Sequence, residues 1–222
     1  MKFFNIYQYA APIILLPLAY WLWLEREHGA HRLALFMLSI PVLYAYIVPA
    51  VGTNVLKIWE FNTRLRLGRF RPHHGFVFGS ATSLIALACL GSPVPIGPGE
   101  VLRQGFVLGS VLAFWNWLYD VFALRSGFLR VYTRSYSEQL GPEAIAMDYA
   151  PPIFGLFGLV YGMTIPIAEN VFMDLGRWEW YWPLLVGANV ACIALPVAGY
   201  ILWSHARSGE NGLRSHQGRT ES

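Results

Sequence analysis

The chain has 222 residues, of which 55% are hydrophobic and 13% charged, with nine Trp, twelve Tyr and fourteen Phe. A typical soluble domain carries roughly 25% charged residues. This composition therefore excludes an ordinary water-soluble domain and requires lipid as the solvent of the outward faces. The formal charge is only +3, but its basic side is 14 Arg against 2 Lys in clusters, so the local sign matters more than the total.

In chain order, the first apolar stretch covers residues 6–24. Glu25-Arg26-Glu27-His28 follows it directly, with no small-residue cleavage site, so a retained helix is expected rather than a signal peptide. Five more stretches follow, at residues 33–56, 75–94, 104–124, 149–168 and 181–203. Each is near the ~20 residues that cross a hydrocarbon core. The expected fold is an all-α integral membrane bundle of six transmembrane helices. Residues 1–207 form its one domain, and the polar residues 208–222 form a disordered cytoplasmic tail. With both termini in the cytoplasm, twelve Lys and Arg fall on inner segments and four (Arg26, Arg32, Arg103, Arg177) on outer loops, as the positive-inside rule demands. Residues 92–99 read as a turn-rich outer connection. Trp178-Glu179-Trp180-Tyr181-Trp182 reads as an outer aromatic belt, joined by Trp21 and Trp23, with Trp203 at the inner interface.

Small residues four apart mark close helix contacts in lipid. Gly75, Gly79 and Ser83 form one such ladder, Gly105, Gly109 and Ala113 a second, and Gly158 and Gly162 a third. Gly75-Phe76-Val77-Phe78-Gly79-Ser80 also resembles Gly105-Phe106-Val107-Leu108-Gly109-Ser110, a pattern that chance or an inverted repeat can produce. Pro41, Pro49, Pro166 and Pro196 interrupt apolar runs, where each removes a helical hydrogen bond. Cys89 and Cys192 lie in apolar runs and imply neither a disulfide nor a metal site.

Ionisable groups at membrane depth are costly and point to function. The topology gathers Glu60, His73, His74, Asp120 and Asp148 on the cytoplasmic side as candidate acid–base groups. Arg66, Arg69, Arg71, Asn116 and Arg125 are the candidate substrate-binding groups there, since Arg clamps phosphate or carboxylate heads. Asn116 and Asp120 share a helix face. Each also has a plainer use: lipid contact and topology for the Arg loop, solvent for the histidines, ion pairs for Glu60 and Asp120.

His28-Gly29-Ala30-His31 resembles a fragment of the histidine boxes of membrane desaturases, but the other boxes are missing. No P-loop, dinucleotide fingerprint or serine-nucleophile motif occurs, so no cofactor is implied. Three functions stay open. One is an enzyme acting on a lipid or isoprenoid head group at the cytoplasmic leaflet. The second is an accessory or assembly subunit of a larger membrane complex, and the third a small-solute carrier, for which midplane polarity (Thr82, Ser83, Thr164, Asn189) is thin. Expected partners are membrane lipids and other membrane subunits, not nucleic acid. Short loops and the lack of an organelle-targeting segment favour a bacterial plasma membrane.

Overall fold

The computed structural model describes residues 2–91 and 96–218. Six long helices stand where the apolar stretches predict them: α1 (Lys2–Arg26), α2 (His31–Val55), α3 (His74–Leu90), α4 (Pro98–Arg125), α5 (Pro151–Asp174) and α6 (Trp178–Ser208). All but α3 are long and apolar enough to cross a membrane. Helix α3 has 17 residues, about 25 Å at 1.5 Å per residue, and ends at Gly91 with φ +63°. Residues 92–95, which end the expected 75–94 stretch and make up half of the turn-rich 92–99 connection, lie outside the described residues, as does Arg219 of the inner charge set.

The outward faces decide the solvent. Ile6, Ile13, Val186, Val190 and Leu202 are all 60% exposed or more, and so much contiguous apolar surface is stable only against lipid. The chain is an integral, multi-pass membrane protein.

Helices α4 and α5 make the most extensive contact, followed by α2 with α3. The glycine ladders explain both. A methyl group built on Gly158 would lie 2.8 Å from Gly109 Cα and 2.9 Å from the Leu108 carbonyl. One on Gly109 would lie 2.8 Å from the Gly155 carbonyl, so the two backbones touch. Gly75 and Gly79 admit Tyr46 and Val42 of α2 in the same way. The two similar Gly-Phe-Val segments thus serve different neighbours.

Prolines leave a visible trace. Wider π-helical turns occupy Ala11–Leu15, Val51–Val55, Pro151–Gly155 and Asn170–Asp174, each containing or soon following a proline.

Two features were not legible in the sequence. Strand β1 (Trp59–Phe61) pairs antiparallel with β2 (Leu129–Val131), with Glu60 opposite Arg130. The tail expected to be disordered instead folds back through residue 218. Tyr200 donates to the Gly212 carbonyl (2.7 Å) and the His216 N–H to the Tyr132 carbonyl (2.9 Å), leaving the His216 ring buried beside Glu210.

At the far end of the bundle from β1 and β2, Arg26 donates through Nε and Nη2 to Glu169 (2.9 and 2.8 Å), with Glu27 3.4 Å away. Trp23, expected in the outer belt, is fully buried beneath Arg26. Trp21, Trp180 and Trp182 are exposed there. Burial, and then Glu169, push the Glu27 carboxyl up to about 8 against the pull of Arg26. The folded chain therefore holds a proton that the unfolded chain releases above about 4.5. Stability should fall as pH rises from about 4.5 to about 8. Thermal unfolding in detergent across that range should show the slope in the wild type and lose it in Glu27→Gln. An equal slope in the variant would place the proton elsewhere.

Candidate functional site

The loop after α2 builds the site. Asn54 braces it, accepting from the Arg69 N–H (2.9 Å) and donating to the Leu67 carbonyl (3.1 Å). β1 then anchors the loop to the chain leaving α4, and Arg71 is carried inward beneath the sheet. The result is an arginine only 2% exposed, its guanidinium set between the rings of Phe61 (5.1 Å) and Phe128 (5.4 Å).

Arg71 is short of partners. Its Nη2 donates to His74 Nδ1 at 2.5 Å, while Nε and Nη1 have no hydrogen-bond partner. Among the described residues, no salt bridge includes it. Burial works against its charge and lowers its pKa from the usual value, with Tyr119, Tyr7 and Asp120 acting in the opposite sense. A guanidinium has no acceptor atom. His74 Nδ1 must therefore accept, and the ring's proton sits on Nε2.

Asp120 is the second buried group, 7% exposed. It accepts a 2.6 Å bond from the Tyr149 hydroxyl. Asn116, one turn earlier on α4, donates to the Leu112 carbonyl. An inner cavity of about 70 Å³ lies between α2, α4, α5 and the sheet, bordered by Arg71, His74, Asn116, Tyr119, Asp120 and Tyr149 among aromatic rings. A groove of about 400 Å³ runs outside it between α1, α3 and α4. The two share Arg71, His74, Phe78, Asn116 and Tyr119.

The expected cytoplasmic cluster is thus divided. Arg71, His74, Asn116 and Asp120 line one cavity. His73 stacks on Tyr9 at 5.0 Å, outside both spaces. Burial, and then Arg71, push its pKa down to about 4, so it is neutral at pH 7. Glu60 accepts from the Tyr132 hydroxyl (2.7 Å) and pairs with Arg66 (3.4 Å). Arg69 lies over Tyr132 and Arg125 pairs with Glu143. Asp148 faces a separate polar cavity of about 200 Å³ under the tail, 3.7 Å from Arg207. Sequence reasoning missed Tyr7, Tyr119 and Tyr149. The available signal was adjacency, since Tyr119 precedes Asp120 and Tyr149 follows Asp148.

Among the described residues, no group of three or more His, Cys, Asp or Glu is placed to hold a metal ion. The chain matches no protein-family model, no curated protein and no solved structure.

Proposed function

We propose that this chain is a six-span protein of a bacterial plasma membrane, with both termini in the cytoplasm. It binds the anionic head group of a lipid or isoprenoid at the cytoplasmic leaflet and acts on it by acid–base chemistry. The observation that carries the reading is Arg71. A buried cation without a carboxylate partner is strongly unfavourable, and an oxyanion in the adjoining cavity would satisfy Nε and Nη1 with charge-assisted bonds. In this reading Arg71 holds the anion. His74, fixed by Arg71 with its proton on Nε2, donates to the head group. Asp120, steered by Tyr149, accepts a proton from the water that attacks the head group as the His74 proton passes to the leaving oxygen.

The competing readings lose support. Thr164 bonds to the Val160 carbonyl of its own helix, which removes one of the few midplane groups a carrier would use. The glycines of the three ladders, which an accessory subunit could offer to partners, are packed within the chain.

The test begins with native mass spectrometry of protein extracted in mild detergent, to identify the bound amphiphile. Turnover of that compound should fall at least a hundredfold in Asp120→Asn with binding retained. Undiminished turnover would remove Asp120 from the chemistry. A wild-type protein carrying no anionic amphiphile, and binding none when supplied, would overturn the reading as a whole.

A further inference from the structure

The two spaces that meet at Arg71 differ in size and character, and the difference describes a ligand. The inner cavity, about 70 Å³, is under half the ~150 Å³ that holds a benzene ring, and a water occupies ~30 Å³. It is large enough for a phosphate or carboxylate group and, by itself, too small for a group the size of a benzene ring. The outer groove, about 400 Å³, is near the lower end of ordinary ligand pockets. Val77, Ala81 and Ile85 of α3 form one wall and Leu118 and Phe122 of α4 another. Phe122 is 52% exposed and Phe3, at the α1 edge, 64%, so the groove opens sideways toward lipid. From His74 to Ile85 it follows α3 for about 16 Å at 1.5 Å per residue. Its polar end coincides with the unpartnered nitrogens of Arg71. At that end Tyr7 and Tyr119, 6.0 Å between ring centroids, stand among the walls with Phe78. A glycerol carrying two chains would leave its second chain outside the groove.

Resting on the anionic-head reading above, we infer that the ligand is a single-chain amphiphile with a bare oxyanion head, a phosphate monoester or a carboxylate. It slides in from the bilayer between α1 and α4, head at Arg71 and chain along α3.

The test is photo-crosslinking of the full chain in nanodiscs of phosphatidylcholine. The probes are a dodecyl phosphate and a dodecanoate, each with a mid-chain diazirine, and a two-chain phosphatidate bearing the same group. Adducts are mapped by peptide mass spectrometry. Either single-chain probe should label the α3 and α4 groove walls, excess unlabelled dodecyl phosphate or dodecanoate should displace it, and Arg71→Met should reduce labelling at least tenfold. The competition arm uses wild-type protein alone and does not depend on the variant folding. Equal groove labelling by the two-chain probe would overturn the single-chain inference while leaving the anionic site standing. Labelling spread over outward faces such as Val186 and Val190, and not displaced, would overturn the lateral groove. Groove labelling undiminished in a folded Arg71→Met would overturn the anionic site and this inference together.

Discussion

Replacing Arg71 with Met should abolish retention of the anionic amphiphile and leave the protein at least as stable as the wild type. The two halves of that result have one cause. Arg71 sits 2% exposed between two phenyl rings, with one hydrogen bond to His74 and no carboxylate within ion-pair distance among the described residues. Taking a charge out of water costs on the order of several kcal/mol even after relaxation. Here the compensation is the His74 bond, the attraction of Tyr119, Tyr7 and Asp120, and two cation–π contacts, each worth up to about 2 kcal/mol when desolvated. Methionine fills similar space, keeps the aromatic contacts and carries no charge. It leaves His74 Nδ1 without its donor, a cost of about 1–3 kcal/mol, which the relieved charge offsets. Thermal unfolding of the ligand-free variant in detergent, beside native mass spectrometry of both proteins, checks each half. A loss of about 3–5 kcal/mol, the usual penalty for breaking a buried ion pair, would mean that Arg71 serves the fold and that the site has been misread.

The second large effect is expected at the crossing of α4 and α5. Gly158→Leu should destabilise the bundle by about 1–3 kcal/mol or more, and Gly187→Leu should not. At Gly158 the first atoms met are backbone, Gly109 Cα and the Leu108 carbonyl, which cannot rotate away. At Gly187 on α6 a side chain would meet nothing within 4 Å. Unfolding in graded denaturing detergent compares the two. Parting α4 from α5 also moves Asp120 from Tyr149, so Gly158→Leu should lose turnover before it loses helicity. Equal stability of the two variants would show that the crossing is looser than its geometry indicates.

These two positions show what the sequence carries. The glycine ladders were legible because helix contact in lipid follows a local rule, small residues four apart on one face. The placement of the six helices was legible because hydropathy reports directly on solvent. The site was legible only in part. Asn116 and Asp120 share a helix face by periodicity alone, and both border the cavity. Arg71, however, looked equivalent to Arg66 and Arg69, which lie in the same loop. What separates them is a three-residue sheet whose partner strand lies seventy positions further on, with Trp59 opposite Val131. No local pattern announces such a pairing. The same holds for His73 and His74, adjacent in sequence, one stacked on Tyr9 and the other bonded to Arg71. The folded tail was missed for a related reason. Its polar composition suits disorder, but its contacts are single hydrogen bonds to distant residues, Tyr132 and Tyr200.

The pairing of β1 with β2 also orders events during synthesis. β1 leaves the ribosome before α3 and α4, and its partner only after both. Until then Arg71 has neither Phe128 beside it nor the sheet above it, and its charge remains in water. The helices can thus insert one by one without dragging a guanidinium into hydrocarbon, because the closure that buries it is a late, long-range step. A chain arrested before residue 129 should hold Arg71 open to an aqueous reagent, and one extended past Asp174 should not. Arg71 is placed where the order of translation defers its burial until β2 has been made.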